Sequence, residues 1–276
     1  MPLVQVIVLG IIQGLTEFLP ISSTAHLVVI PRLLGWPDQG LAFDLALHLG
    51  TVAAVVLYFF RDWLQILAQG FGLQVGGDPV LRRNRGLLWL LAIGTVPIGI
   101  AGLLFEKKAD QARGNFYLIG AMAIGVGLLL LWADRVGRKQ KDIGHVSAMD
   151  SILIGMSQTL AIIPGTSRSG ITISTGLLRN LDRETAARFS FLLLTPAVIA
   201  AAAKHFWDLM KHEGGIAPDM RMPFMLGIAV SAITGMIVIR FFLDYMRRRS
   251  YTVFVAYRIV FGIIVIALAF FRFGGG

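Results

Sequence analysis

The sequence predicts an all-α integral membrane protein with six transmembrane helices and two re-entrant helical hairpins. They are arranged as an inverted-topology repeat within a single membrane domain, 1–276. Three observations predict it. The chain is 56% hydrophobic with a mean hydropathy of +0.73, beyond the composition of ordinary soluble domains. Six apolar runs are long enough to span a bilayer. Two further segments, GIIQGLTEFLPISSTAH (Gly10–His26) and GMSQTLAIIPGTSRSGIT (Gly155–Thr172), look like copies of each other, and each is broken by a proline and a Ser/Thr cluster. Polar, broken backbone within an apolar segment is tolerated only where protein or a polar cavity surrounds it. The two copies are therefore expected to meet around one site.

The hairpin Gly10–His26 comes first. The first basic residue is Arg32, so the N-terminus lacks the positive region of a secretory signal peptide, and Met1–Leu19 is expected to be retained. Spans follow over Leu41–Phe60, Gly86–Phe105 and Phe116–Trp132, each an apolar run of about 20 residues. The charged stretch RVGRKQKDIGH, Arg135–His145, reads as a linker. After it come the second hairpin and spans over Ala186–Ala203, Pro223–Leu243 and Tyr251–Phe271. Trp36, Trp63, Trp89, Trp132 and Trp207 fall at or just beyond span ends, as interfacial tryptophans do. Gly94, Gly99 and Gly102 are read as sites of close helix packing.

The repeat runs past the two motifs. Thr51 follows Pro20 by 31 residues and Thr195 follows Pro164 by the same distance, so the halves are read as 1–138 and 147–276. If each motif enters and returns, one membrane face collects fifteen Lys and Arg against eight; if each crosses once, the count is twelve against eleven. The positive-inside rule prefers the hairpins. Three full spans per half then make the halves inverted, with hairpins entering from opposite faces and both termini non-cytoplasmic. Secondary transporters share this design, so transport stands as one expectation.

The formal charge of +9 is dispersed in short clusters between spans, which argues against a nucleic-acid partner. Loop arginines of this kind fix topology and attract anionic lipid headgroups. The chain has no cysteine, which removes disulfides, thiolate nucleophiles and Cys-ligated metals.

Glu17 lies between apolar residues, where an ionised group costs roughly 2.5–3.5 kcal/mol on insertion scales, and Arg168 costs a similar amount. Either the two pair with each other, or both face a ligand, Glu17 through a divalent cation and Arg168 through an anion. PGTSRSGIT combines several anion-binding devices. Pro164 and Gly165 break the helix, Ser167 and Ser169 offer hydroxyls, and Gly170 permits close approach. The next helix presents free N–H groups, and Arg168 a planar donor fork. Phosphate or carboxylate is the expected ligand. His26 follows a cluster of Ser22, Ser23 and Thr24 and is suited to acid/base work. Ser23 is either a nucleophile activated by His26 or a helix cap. Gln13 sits one turn before Glu17 and could ligate the same cation or the substrate, while its counterpart Gln158 is expected to bond between helices. Asp44 and His48, spaced i, i+4 on one face, could join the site, but a mutual hydrogen bond that supports the packing is the expectation. A single motif carboxylate suits magnesium completed by water and substrate phosphates, with calcium as the alternative ion. The chemistry suggested is in-line attack at phosphorus.

QGLTEFLPISSTAH and PGTSRSGIT together resemble the undecaprenyl-diphosphate phosphatase family of the bacitracin-resistance type. The resemblance extends over nearly the whole chain, including FDLALHLGT. It places the family's first motif, Glu or Gln followed four residues later by Glu, on Gln13 and Glu17, and the functional serine and histidine on Ser23 and His26. The phosphate motif falls on Pro164–Thr172, so Ser167, Arg168 and Thr172 inherit that role. Position 13 takes the Gln option, leaving one motif carboxylate. The resemblance implies hydrolysis of undecaprenyl diphosphate to the monophosphate and phosphate in the bacterial inner membrane, recycling the carrier lipid for cell-wall synthesis, with the site open to the periplasm. It also implies a long-chain isoprenyl diphosphate as partner and leaves room for a homodimer. A transporter or flippase of a phosphorylated isoprenoid lipid is the alternative.

Overall fold

Proline, glycine and capping hydroxyls decide where the apolar stretches separate into helices. The computed structural model describes residues 1–212 and 217–273. The helices are α1 (Leu3–Phe18), α2 (Ser23–Leu33), α3 (Gly40–Tyr58), α4 (Phe60–Gly70), α5 (Pro79–Arg82), α6 (Leu87–Ala112), α7 (Phe116–Val136), α8 (Ala148–Gln158), α9 (Arg168–Leu178), α10 (Arg183–His212), α11 (Pro218–Arg248) and α12 (Thr252–Leu268). A tight turn, Thr159–Ile162, extends α8. Among the described residues no strand forms, and a lone parallel bridge joins Lys141 to Leu181.

Six helices (α3, α6, α7, α10, α11 and α12) are long and apolar enough to cross a membrane, and each overlaps one of the six predicted spans, though α3 stops at Tyr58, short of the predicted Phe60. The chain is a multi-pass membrane protein. Several helices run past the predicted ends, α6 to Ala112 and α11 to Arg248, because charged turns continue a helix into the interface without adding apolar length. The final residues of the predicted second half, and 213–216 within it, lie outside the described residues.

Each motif forms two short helices around a turn. Asn115 and Ser147 cap α7 and α8, and Ser147 forms a reciprocal capping box with Asp150. Arg179, at the end of α9, donates to Asp150 in the first turn of α8 at 2.8 Å, so the start of one arm and the end of the other are side by side. Likewise Gln39, just before α3, reaches Gln5 near the start of α1 at 3.5 Å.

The motif helices dock crosswise: α1 lies along α11, and α8 lies along α6. Small residues permit both approaches. A side chain at Gly10 or Gly14 would collide with Val230 or Thr234 of α11, and one at Gly155 with the backbone of Gly94. Gly94 thus packs as expected. Gly99 and Gly102 do not: a Cβ there would meet nothing, because both line a cavity between α3, α6 and α10. α7 packs on α12 through Gly120 and Gly262, and the main core gathers Phe18, Phe189, Phe191, Phe242 and Tyr251.

α4 and α5 are unforeseen, being too short for a spanning window to detect. α4 is amphipathic and buries Gln65, Ile66 and Gln69. Trp63 therefore packs on the core from α4 rather than marking a span end. Ion pairs brace this end of the molecule: Arg188 with Asp62 and Asp78, Arg183 with Asp134, and Lys141 with Asp150.

Candidate active site

The two motif turns carry matching backbone conformations. Ser22 and Ser167 both take left-handed φ values, 77° and 69°, which L-residues rarely adopt, and each caps the helix that follows. The Ser22 hydroxyl accepts from Ala25 N at 3.4 Å and the Ser167 hydroxyl from Gly170 N at 3.1 Å. Gly165 has φ +89° and lies so close to the carbonyl of Ile119 that no side chain would fit. The N-termini of α2 and α9 thereby open on one cavity of about 220 Å³, lined among others by Glu17, Ser22, Ser23, His48, Gln158, Ser167 and Arg168.

Glu17, from the last turn of α1, is its centre. One carboxylate oxygen accepts from Arg168 Nη2 at 3.0 Å. The other accepts from Ser23 Oγ at 2.6 Å and Gln13 Nε2 at 2.9 Å, and lies 3.3 Å from His48 Nε2. Arg168 is held further by Nη1 donating to the Ser190 carbonyl at 2.9 Å, while its Nε has no partner among the described residues. Glu17 and Arg168 do pair directly. The same carboxylate also sits on a hydroxyl at the short distance of a charge-assisted bond, the geometry of a base on a nucleophile.

The remaining residues divide between the cavity and its scaffold. Ser169 donates to the Leu19 carbonyl at 3.1 Å and stands 3.3 Å from Ser167, tying the second turn to the first. Thr172 is buried, donating to the Arg168 carbonyl at 2.8 Å and facing the Ser190 hydroxyl at 2.7 Å, so it fixes the Arg168 backbone from behind. His26 is bonded outside the Glu17 cluster. Its Nδ1 faces the Ser22 carbonyl and its Nε2 the Tyr257 hydroxyl, both at 2.7 Å, and its ring stacks on Phe261 at 4.4 Å. Ser23 thus meets Glu17 rather than His26, and the capping role falls to Ser22.

His48 and Asp44 do not bond through their side chains. His48 Nδ1 bonds the Asp44 backbone carbonyl at 2.7 Å, which aims Nε2 at Glu17, and the Asp44 carboxylate pairs with Arg113 at 2.5 Å. The i, i+4 spacing carried the signal, yet the partners lie in other helices. Arg258 was missed altogether. It is fully buried in α12 and donates to the carbonyls of Pro20 in one turn and Gly165 and Thr166 in the other, as well as Met122 and Ala123. An arginine inside the last apolar span was its sequence signal.

A divalent cation held at Glu17 would need water and substrate phosphates to complete its shell. Gln13, Ser23 and His48 face Glu17 Oε2, while Oε1 takes only Arg168 and keeps a lone pair open. Gln13 Oε1 is unengaged, but among the described residues no three His, Asp or Glu side chains converge on a point.

Beyond the polar end, the cavity continues into an apolar chamber of about 590 Å³. Thr24, Ile98, Ala161, Ile162, Ala197 and Ala201 belong to both, and Gly99, Gly102 and Leu103 line the outer part. Its far end carries Asp110, Arg113, Lys204 and His205. A long apolar ligand with an anionic head would match this sequence of surfaces.

Comparison with known proteins agrees in extent and kind. The family model described as bacitracin resistance protein BacA matches residues 6–264. An undecaprenyl-diphosphatase of Moorella thermoacetica is 45% identical over 272 residues, covering 99% of this chain and 100% of the relative. Undecaprenyl-diphosphatase 2 of Stutzerimonas stutzeri is 45% identical, covering 97% of this chain and 98% of its own length. An undecaprenyl-diphosphatase of Chlorobaculum tepidum is 42% identical, with 97% of each chain covered. With both broken turns, the buried carboxylate and nearly the whole length inside that match, the chain belongs to the BacA family of bacitracin resistance proteins.

Proposed function

We propose that this chain hydrolyses undecaprenyl diphosphate to undecaprenyl phosphate and inorganic phosphate, recycling the carrier lipid and so conferring bacitracin resistance. The observation that carries the reading is the Glu17 carboxylate, which bonds the Ser23 hydroxyl and the Arg168 guanidinium at the polar end of an apolar chamber. The isoprenyl tail lies in the chamber and the diphosphate between the N-termini of α2 and α9. Ser23 Oγ attacks the terminal phosphorus, its proton passes to Glu17, and the bond to the bridging oxygen breaks to release the lipid monophosphate. Glu17 passes that proton to the departing phosphate oxygen, then takes one from the water that attacks the phosphoserine and returns it to Ser23 Oγ as the Oγ–P bond breaks and inorganic phosphate leaves. Arg168, Ser167 and the α9 N–H groups bear the charge on the phosphoryl oxygens. His26 supports the first turn through Ser22. Glu17 Oε1 and Gln13 Oε1 would hold a divalent cation, magnesium or calcium, which would neutralise charge on the diphosphate; no step is routed through it.

The relatives' names favour hydrolysis over transport. The inverted repeat, with α1–α2 and α8–α9 as re-entrant hairpins, is supported by the crosswise docking of α1 on α11 and α8 on α6 and by the Arg179–Asp150 contact. The arginine-rich end then faces the cytoplasm of the inner membrane and the chamber opens to the periplasm, with both termini on that side. The cavity is complete in one chain, so a homodimer is not needed for the chemistry.

The test is phosphate release from a long-chain isoprenyl diphosphate by purified protein in detergent, for the wild type, Glu17→Gln, Ser23→Ala and Arg168→Ala. A parallel arm with EDTA reads any cation that the substrate brings. Release by all three variants at the wild-type rate would refute the site. Lipid movement in vesicles without phosphate release would refute the activity.

A further inference from the structure

Gln158 ends α8 at the position equivalent to Gln13 in the first motif. Gln13 holds Glu17 one turn further on. The second copy has Ile162 there, so Gln158 has no carboxylate to hold. Its side chain is fully buried, and neither amide atom has a hydrogen-bond partner among the described residues. It lines the cavity that Glu17, Ser23, Ser167 and Arg168 line. A buried amide without partners costs roughly 1–3 kcal/mol, and a leucine of similar size would avoid that cost.

The neighbouring arginine shows what the amide is for. Arg168 gives one N–H of Nη2 to Glu17 and one of Nη1 to the Ser190 carbonyl, and with Nε unengaged three of its five N–H groups stay open to an anion. An anion can be met on the Nε side while the contact that positions Glu17 is kept. A neutral donor on the opposite arm of the same turn gives that anion a second point of attachment without adding charge. We infer that Gln158 is a substrate-positioning residue whose amide N–H groups bind the phosphate oxygens of the diphosphate, working with Arg168 Nε. The inference rests on the proposed diphosphatase reading and names a phosphate ligand that the reading leaves unassigned.

The experiment compares full-length wild type, Gln158→Leu and Gln158→Glu in detergent, by phosphate-release kinetics and by thermal unfolding with and without inorganic diphosphate. Loss of a hydrogen bond to a charged acceptor should raise KM roughly 10- to 100-fold and shrink the thermal shift given by diphosphate. The ligand-free Tm of Gln158→Leu should match or exceed that of the wild type, since an orphaned polar group is removed. Gln158→Glu keeps the shape, places a carboxylate against phosphate, and should bind still more weakly; it carries the test if the leucine variant fails to fold. Unchanged KM and unchanged diphosphate shift would overturn the inference, as would a lower ligand-free Tm with full diphosphate protection, which marks a packing residue. Diphosphate protection that depends on Gln158 in a wild type releasing no phosphate would uphold the ligand and refute the activity.

Discussion

Four side chains share one carboxylate at Glu17, so substitutions there separate by what they leave behind. Glu17→Ala strands Arg168 in a buried position, which costs about 3–5 kcal/mol when one partner of such a pair is removed. Glu17→Gln keeps the volume and part of the hydrogen bonding. Glu17→Gln should therefore remain folded while turnover falls on the order of 10²–10⁴-fold, and Glu17→Ala should also lower the Tm; activity and thermal unfolding on the same preparations decide it. Ser23→Ala should lose turnover without loss of stability, because the first-turn cap belongs to Ser22. Glu17, Ser23 and Arg168 were legible in the sequence because polar groups inside an apolar segment need a reason. What His48 and Gln158 face was not. Their roles depend on which residue of another helix stands opposite, and spacing along one helix does not carry that.

At the scale of elements, short helices can be laid together only where glycine removes the side chain between them. Gly155→Ala should destabilise by roughly 1–3 kcal/mol, since its new methyl meets the Gly94 backbone, which cannot rotate away. Gly99→Ala should be neutral in Tm, because the added methyl enters open space. Equal effects in a thermal denaturation series would contradict the packing assignment. Arg258 acts on the same scale by joining both motif turns through backbone carbonyls. Arg258→Met should lower both Tm and phosphate release, and Arg258→Lys, with fewer and less planar donors, should restore only part of each. The six spans were legible from apolar length. α4 was not, because an eleven-residue amphipathic helix buries its face only after the longer helices have created a surface for it.

For the whole molecule, the predictions concern sidedness and the apolar chamber. The chain has no cysteine, so single-cysteine variants report accessibility without background. Cysteine at Asp38, beside Arg113 near the chamber's far end, should react with an impermeant maleimide from the periplasmic side of spheroplasts. Cysteine at Gln140 should react only after lysis; the reverse pattern would invert the topology. Gly102→Leu should narrow the chamber, raising KM for a long-chain isoprenyl diphosphate more than for a short-chain one.

The sequence by itself determined the membrane class, the six spans, the two broken segments and the residues worth watching within them. Each of these follows from local composition: apolar length, misplaced charge, and proline or glycine where a helix must end. Tertiary structure alone decided that Ser23 meets Glu17 and not His26, that His48 turns to Glu17 rather than Asp44, that Gln158 is left without a partner, and that Arg258 spans both turns. Those contacts join helices far apart in the chain. Which donor reaches which acceptor is set by how the helices cross, and no periodicity along a single segment encodes the crossing.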